Sequence, residues 1–230
     1  MIFRSVLEAD PNHKESLLYR TKSLFSLGSL EKAQDSCQKL LRLDQNNIEA
    51  LYAGVEILMQ SAKYEDALCL VEKILVQNPQ YKKTLYYFGL CLSNTGKKEQ
   101  ARNIFDNFLA IYPDHANAIY NKGLVLQQLS RFAEAIACFD KITPSKDVLH
   151  HKSQAFTSLG KYEDALSCLE KIENTDNDIL LEKATLHTTL GQYEKSSACI
   201  DAILNSDPSN YSALHQKAIL FFSEIGRAHV

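Results

Sequence analysis

The chain has 230 residues, of which 45% are hydrophobic and 23% charged, a balance that excludes a disordered protein and is ordinary for a folded one. Its formal net charge of -3 argues against a nucleic-acid partner, because phosphate binding needs clustered lysine and arginine. The sequence contains no run of ~18 apolar residues, so it predicts no membrane span.

The cysteines and the first residues indicate a cytoplasmic protein. Six cysteines are spread along the chain and none forms a C-x-x-C motif, which disfavours a secreted disulfide framework and favours buried or half-buried free thiols. The opening stretch MIFRSVLEADPNH lacks the charged, apolar and small-residue zones of a signal peptide. We therefore expect a reducing, cytoplasmic location.

Residues 1–13 are interpreted as the remnant of the second helix of a helix pair. Ile2, Phe3, Val6 and Leu7 form one apolar face, and Pro11 ends it. The partner helix of this remnant is missing, which leaves the apolar face partly uncovered. We therefore expect Met1 to be an internal methionine of a longer protein.

The rest of the chain is periodic. In six segments a small residue is followed five positions later by another small residue, and the second members are separated by 34, 34, 34, 30 and 31 residues. Such self-similarity is typical of repeat architectures. The pairs are Gly28/Ala33, Ala62/Ala67, Gly96/Ala101, Ser130/Ala135, Gly160/Ala165 and Gly191/Ser196.

Each period predicts two antiparallel amphipathic helices joined by a tight turn. Leu85, Phe88 and Leu92 recur at helical spacing before one such turn, and Phe105 and Phe108 follow it. The first small residue suits left-handed backbone at the turn, and the second allows the two helices to approach closely. A pair of about 30 residues cannot bury its own apolar face, so neighbouring pairs must stack. Prolines at positions 11, 79, 113 and 208 are expected to end second helices.

The period sets the expected boundaries. Full repeats fall at about residues 14–47, 48–81, 82–115, 116–145, 146–176 and 177–210, with a partial repeat at 211–223. In the stretch ITPSKDVLHHKS, Ile142 is expected to close a second helix early, and Ser145 or Asp147 to cap the next helix. A second early ending is expected at Ile172. The heptapeptide EIGRAHV, residues 224–230, matches the translation of a widely used sequencing adapter, so we expect a non-native tail.

This pattern resembles the tetratricopeptide repeat family. The third repeat carries the family's motif almost throughout, at Leu85, Gly89, Leu92, Gly96, Ala101, Phe105 and Pro113. The sequence departs from the motif at Thr21, Gln45, Val55, Ala62 and Ser196, and it has no tryptophan. The resemblance implies an all-α, right-handed α-solenoid of stacked antiparallel helix pairs whose task is to hold other proteins. A pentatricopeptide-like array that reads single-stranded RNA is the competing repeat type, and the mildly acidic charge disfavours it.

No catalytic or cofactor site is predicted. The phosphate-binding, dinucleotide-binding, zinc-protease and nucleophile-elbow motifs are all absent from the sequence. A metal enzyme using His150 and His151 is one alternative, but adjacent residues on a helix lie about 100° apart and cannot share a metal in the usual i,i+4 manner. Another alternative is the regulatory or substrate-recruiting arm of a larger enzyme whose catalytic domain lies outside this chain.

The cysteines offer no cross-link in this arrangement. Cys69, Cys138, Cys168 and Cys199 all fall shortly after the small residue of a second helix. Successive repeats stack about 10 Å apart, whereas a disulfide needs Cα atoms within about 7 Å. These residues are therefore expected to be structural thiols.

The candidate binding surface follows from the resemblance, which places the first helices on the concave wall. Tyrosine with amide side chains offers rigid apolar area plus hydrogen bonds, which suits peptide binding, and packing against the next helix is the alternative role for tyrosine at this position. The expected partner is a peptide or helix of another protein, and self-association through exposed terminal repeats is a further possibility. The candidate residues are Tyr52, Tyr86, Tyr87, Asn94, Tyr120, Asn121, Gln128, His150, His151 and Gln154.

Overall fold

The computed structural model describes residues 2–79, 81–173 and 175–228, and it places side chains within residues 5–79, 81, 83–173 and 175–222. Within the described residues the chain forms fourteen α-helices and no strand. Their bounds are α1 Ile2–Ala9, α2 Lys14–Ser26, α3 Leu30–Leu43, α4 Ile48–Gln60, α5 Tyr64–Gln77, α6 Lys82–Asn94, α7 Lys98–Ile111, α8 Ala116–Gln128, α9 Phe132–Phe139, α10 Lys146–Ser158, α11 Tyr162–Glu170, α12 Asn177–Thr189, α13 Tyr193–Ser206 and α14 Tyr211–Ala228.

The helices form two compact units, Met1–Val125 and Leu126–Val230. In the first unit α2 packs on α3, α4 on α5 and α6 on α7, and the first helices α2, α4 and α6 also contact one another in order. In the second unit α10 packs on α11 and α12 on α13, with α14 against both α12 and α13. Helices packed in consecutive pairs confirm the predicted fold class, the all-α helix-pair solenoid.

The core of each unit lies between the paired helices. In the first unit Leu51, Val55, Val71 and Ile74 join α4 to α5 in one buried cluster. In the second unit a cluster that contains Leu149, Leu169, Ile179 and Leu186 connects α10, α11 and α12. Each cluster draws on residues from consecutive helices, as expected when single pairs cannot bury their own apolar faces.

The small residues occupy the positions predicted for them. Gly28, Gly96, Gly160 and Gly191 have φ between 71° and 79°, so the turn does require left-handed backbone. The second small residue of each pair has no solvent exposure and lies at the contact of two helices; these residues are Ala33, Ala67, Ala101, Ala135, Ala165 and Ser196. At Ser196 the extra hydroxyl is satisfied, because it donates to the Ala184 carbonyl at 2.9 Å.

Prolines follow the ends of four of the predicted second helices. Helices α1, α5, α7 and α13 end at Ala9, Gln77, Ile111 and Ser206, each two residues before a proline. This agrees with the sequence prediction, since proline cannot continue a helix and restricts the residue before it.

Helices α9 and α11 are short, with 8 and 9 residues against 14 for α3, α5, α7 and α13. The predicted end of α9 was wrong by three residues, because the helix ends at Phe139 rather than at Ile142. Of the two predicted caps for α10, Ser145 is the one used, and its Oγ accepts from the Val148 amide at 3.3 Å.

The expectation of buried or half-buried thiols holds for five of the six cysteines and is wrong for Cys69, which is exposed. Leu70, not Cys69, turns toward the core cluster of α4 and α5. Cys37, on the second helix α3, is one of the buried thiols. All six cysteines are free.

The chain ends fall partly outside the described residues. Helix α14 continues through residues 224–228 of the segment expected to be non-native, while His229 and Val230, like Met1, lie outside the described residues. None of the helices in the described ranges is both long and apolar enough to cross a bilayer.

Candidate functional site

Four tyrosines of the first unit form one connected set of rings, which we call the tyrosine wall: Tyr52, Tyr81, Tyr86 and Tyr87. The ring centroids of Tyr52 and Tyr87 are 5.6 Å apart, and those of Tyr86 and Tyr87 are 5.7 Å apart. Tyr52 also meets Tyr81 at 5.8 Å. All three contacts are edge-to-face, a favourable geometry for aromatic pairs, so each ring is held by its neighbours.

The repeat explains how three of these rings meet. Tyr52 on α4 and Tyr86 on α6 are 34 residues apart and so occupy the same position in successive first helices. Tyr87, one residue further along, lies between them. Tyr81 precedes α6 in the turn after Pro79 and was missed, because the prediction considered only positions inside first helices.

Tyr86 has a packing role as well as an exposed edge. Its ring lies 5.7 Å from Phe108 and 5.2 Å from His115, centroid to centroid. Its hydroxyl accepts from the Asn121 side-chain amide at 3.3 Å, and burial raises the pKa of this tyrosine. The hydroxyl proton of Tyr86 therefore remains free to be donated.

Tyr87 and Tyr52 surround the carboxylate of Glu56 on α4. The Tyr87 hydroxyl donates to Glu56 Oε1 at 3.2 Å. Burial, the neighbouring Tyr52 and the Glu56 charge all raise the pKa of Tyr87. Burial and then the Glu56 charge raise the pKa of Tyr52 as well. Both phenols therefore stay protonated near neutral pH and present neutral hydroxyl groups.

Two grooves open along the tyrosine wall and share Tyr52. The first groove has a volume of about 470 Å³ and is lined by Lys22, Phe25, Ser26, Glu49, Tyr52, Ala53, Glu56 and Tyr81. The second groove has a volume of about 360 Å³ and is lined by Tyr52, Lys83, Tyr86, Tyr87, Phe108, Tyr112, His115 and Asn117. Both are in the size range of pockets that hold small groups.

The other predicted residues of the first unit lie beside these grooves or apart from them. Asn121 donates to the Asn117 carbonyl at 2.7 Å as well as to Tyr86, and so steadies the Tyr86 hydroxyl. Tyr120 is half-buried on α8. Asn94 is exposed, donates to the Leu90 carbonyl of its own helix at 2.9 Å, and lines neither groove.

The predicted residues of the second unit form a separate polar cluster on α10 and α12. His150 Nε2 lies 2.8 Å from Glu182 Oε1, and the Gln154 amide lies 3.2 Å from the same histidine nitrogen and 3.4 Å from the same carboxylate oxygen. The predicted site included His150 and Gln154 but not Glu182. Gln128 is exposed.

His151 has different surroundings from His150. Its ring stacks on Phe139 with 6.4 Å between centroids, and its carbonyl accepts from the Gln127 side chain at 2.8 Å. Burial, followed by the neighbouring His150, lowers the pKa of His151 below its usual 6.5. Among the residues that the structure describes, no group of three or more histidine, cysteine or acidic side chains is arranged to hold a metal ion.

Comparison with known families agrees with the helix pairing. Residues 60–142 match the family described as anaphase-promoting complex, cyclosome, subunit 3. Residues 147–178 and 178–210 each match the tetratricopeptide repeat. The chain belongs to the tetratricopeptide repeat family. No curated protein sequence matches it.

Solved structures share the fold at low sequence identity. YrrB, described as a tetratricopeptide repeat protein with an unusual peptide-binding site, is 18% identical, with a TM-score of 0.62 over 95% of this chain and 98% of that one. PilF of Pseudomonas aeruginosa is 16% identical, with a TM-score of 0.69 over 89% and 96%. MamA of Desulfovibrio magneticus RS-1 is 20% identical, with a TM-score of 0.64 over 69% and 93%.

Proposed function

We propose that the chain is a protein-interaction scaffold that binds an extended peptide segment of a partner protein along the tyrosine wall. The observation that carries the proposal is the connected set of four half-buried rings, which lines two grooves. Aromatic surface of this kind contributes apolar contact and hydroxyl hydrogen bonds together. The peptide-binding site named for YrrB is consistent with this function for the fold.

Preorganisation supports the proposal. Tyr87 is fixed by its hydrogen bond to Glu56 and by ring contacts on both sides, and Tyr86 is fixed by Asn121 and Phe108. Side chains already held in place lose little conformational entropy when a partner binds. The Tyr86 hydroxyl proton and the exposed Lys83 ammonium are available to peptide carbonyl groups in the second groove.

The proposal is tested by selecting peptides from a randomised displayed library on the full chain and measuring their affinity by calorimetry. Tyr87→Ala removes the central ring of the wall and is expected to weaken selected peptides by tenfold or more, in line with interface tyrosines that contribute over 1 kcal/mol. Tyr211→Ala is the matched control, because Tyr211 is 88% exposed on α14 in the other unit.

Packing is separated from binding by a second pair of variants. Tyr86→Phe keeps the ring against Phe108 and His115 and removes only the hydroxyl, whereas the double variant Tyr86→Ala, Tyr120→Ala removes both rings. We expect the double variant to weaken peptide binding more strongly than it lowers thermal stability. Unchanged affinity of the folded fraction, together with a collapsed melting temperature, would show that these tyrosines only pack.

Location and self-association stay predictions. The six free thiols are compatible with a reducing compartment, and on that ground we propose a cytoplasmic location. Phe221 and Phe222 are exposed on α14 and are the residues that self-association through a terminal repeat would use. Analytical ultracentrifugation of Phe222→Ser beside the unaltered chain measures it directly.

A further inference from the structure

The first groove combines aromatic rings with a carboxylate, which is more than an apolar peptide contact needs. Phe25 on α2, Tyr52 on α4 and Tyr81 before α6 line the groove, and Glu56 of α4 lines the same space. The rings of Tyr52 and Tyr81 are inclined at 73°, so the two form an aromatic corner.

The charges of the first groove leave one carboxylate unneutralised. Lys22 Nζ lies 2.7 Å from Glu49 Oε2, so these two opposite charges form a pair. Glu56 forms no ion pair with any side chain that the structure describes, and the hydroxyl of Tyr87 is its hydrogen-bond donor. Lys22, Glu49 and Glu56 are the charged residues lining the groove, and their sum is one negative charge.

The neighbouring phenols report the same negative potential. Burial is the first cause that raises the pKa values of Tyr52 and Tyr87, and the Glu56 charge raises both further. Burial disfavours a charge of either sign, whereas the Glu56 charge that disfavours a phenolate attracts a cation. Aromatic faces add to the attraction, because their negative quadrupole draws cations.

We propose that the first groove is a subsite for an arginine side chain of the partner peptide, with the guanidinium bound to Glu56 and packed in the corner of Tyr52 and Tyr81. The inference rests on the proposed function and names the partner's chemistry at one position. A planar guanidinium stacks on aromatic rings and donates several N–H groups to a carboxylate. Because Glu56 Oε1 already accepts from Tyr87, the second oxygen is the one open to the ligand.

Arginine is favoured over lysine by this geometry. An ammonium is a compact, strongly hydrated point charge, and its stem does not stack. A guanidinium is flat and more weakly hydrated, so it contacts the ring faces and the carboxylate together. The groove volume of about 470 Å³ exceeds the roughly 300 Å³ at which ligand pockets begin.

The first experiment uses three small probes on the full chain with isotope-labelled tyrosine rings. N-acetyl-arginine amide is titrated and followed by NMR, with N-acetyl-citrulline amide as the neutral isostere and N-acetyl-lysine amide as the other cation. We expect saturable shifts of the Tyr52 and Tyr81 ring signals with the arginine probe and at least tenfold weaker binding of the other two. Equal binding of the citrulline or lysine probe would overturn the assignment.

Glu56→Gln isolates the charge. Glutamine keeps an oxygen that accepts from the Tyr87 hydroxyl, so the fold and the tyrosine wall are preserved while the negative charge is lost. We expect the arginine probe to bind at least tenfold more weakly to this variant. Glu72→Gln makes the same change of net charge at an exposed position of α5 and is expected to leave binding unchanged. Equal loss in both variants would contradict the subsite.

The peptide selection distinguishes failure of the subsite from failure of the proposed function. Peptides selected on the unaltered chain are expected to share an arginine at one position, and Glu56→Gln is expected to abolish that preference while peptides are still captured. Selected peptides that depend on Tyr87 but show no arginine preference would overturn the subsite alone. A library that yields no binding peptide would overturn both.

Discussion

At the scale of single residues, the turns between paired helices include positions where a residue other than glycine adopts left-handed backbone. All six turn residues have positive φ, and two of them are not glycine: Ala62 at 54° and Ser130 at 59°. A side chain in left-handed backbone costs about 1–2 kcal/mol. The fold tolerates this cost twice, so these two turns carry local strain.

Replacing the strained residues should stabilise the protein. Ala62→Gly and Ser130→Gly remove the left-handed penalty of about 1–2 kcal/mol. The greater freedom of glycine in the unfolded chain costs about 0.5–1 kcal/mol in return. Each variant is therefore expected to raise the free energy of unfolding by up to about 1 kcal/mol. Urea titration followed by circular dichroism measures the change.

Gly96→Ala is the reverse control for those turns. A Cβ at Gly96 would meet no atom within 4 Å, so its effect comes from the backbone angle of 79° and not from a clash. We expect a loss of about 1 kcal/mol. If all three variants changed stability in the same direction, the turn angles would not be the cause.

His151 links stability to pH. The charged groups nearest to it act in opposite directions, since His150 lowers its pKa while Asp147 and Glu182 raise it, and burial outweighs them. A histidine whose folded pKa lies below its unfolded value of 6.5 takes up more protons in the unfolded chain. Its contribution to stability is therefore complete above about pH 6.5 and is lost as the pH falls through the folded pKa.

We expect the free energy of unfolding to fall between pH 7 and pH 5 with a slope that becomes smaller in His151→Gln. Glutamine keeps the backbone carbonyl that accepts from Gln127 and removes the titrating ring. His215→Gln serves as the control, because His215 is exposed on α14. An identical slope in the unaltered chain and in His151→Gln would contradict the assignment.

At the scale of helices, α6 and α7 approach each other closely at Gly89. A Cβ built there would lie 2.7 Å from Cε1 of Phe105, a ring with no solvent exposure. The same construction at Gly54 on α4 meets Leu70 Cδ1 at 2.8 Å, but that atom is the free end of a half-buried side chain. The two glycines therefore differ in how far their neighbour can move.

Gly89→Ala is expected to lower the free energy of unfolding by about 1–2 kcal/mol, because overpacking costs roughly 1–3 kcal/mol and the better helix propensity of alanine offsets up to 1 kcal/mol. Gly54→Ala is expected to be close to neutral, since Leu70 can rotate. Thermal unfolding of both variants measures the difference. If Gly54→Ala lowered the free energy of unfolding as much as Gly89→Ala, the rigid ring of Phe105 would not be the reason.

The same scale shows why helix length was only partly predictable. The prolines after α1, α5, α7 and α13 are visible in the sequence, and each of these helices ends two residues before its proline, whereas α3 ends at Leu43 without one. Helix α9 has no such proline next to its end, and after Phe139 the chain tightens into a turn in which the Lys141 amide donates to the Cys138 carbonyl. The end of α9 depends on tertiary packing, which cannot be inferred from the sequence pattern.

At the scale of the whole molecule, cysteines lie in both compact units. Cys37 and Cys91 lie in the first unit, where burial raises the pKa of their thiols to about 11 and about 12. Cys168 and Cys199 lie in the second unit, and burial raises their pKa values as well. Cys69 is exposed. Since the thiolate is the reactive form, these groups differ widely in reactivity.

We expect a chromogenic disulfide reagent at pH 8 to react with one thiol rapidly and with the buried thiols only as their repeats open. A rise in pKa from 9.0 to about 11 lowers the thiolate fraction of Cys37 by about a hundredfold, before any effect of access. Cys69→Ser is expected to remove the fast phase. Several fast thiols in the native protein, or a fast phase surviving Cys69→Ser, would contradict the burial pattern.

The groove residues were only partly predictable. The 34-residue spacing placed Tyr52 and Tyr86 at equivalent positions, but it did not indicate that Tyr86 packs on Phe108 and His115 while Tyr87 bridges to Tyr52. Tyr81 lies outside a helix and Glu56 is one turn beyond Tyr52, so neither belongs to the tyrosine pattern. Their roles come from the approach of neighbouring first helices.

The sequence alone was enough to predict the helix pairs, their turns, the close contact at each small residue and the proline ends. These features are local, because backbone angles and helical periodicity depend on residues within a few positions of each other. Tertiary structure alone decided the partners of the side chains, such as Tyr87 with Glu56 and His150 with Glu182, which are 31 and 32 residues apart. Such contacts depend on how closely neighbouring helices stack, and the distance between those helices is set by the packing of the whole repeat.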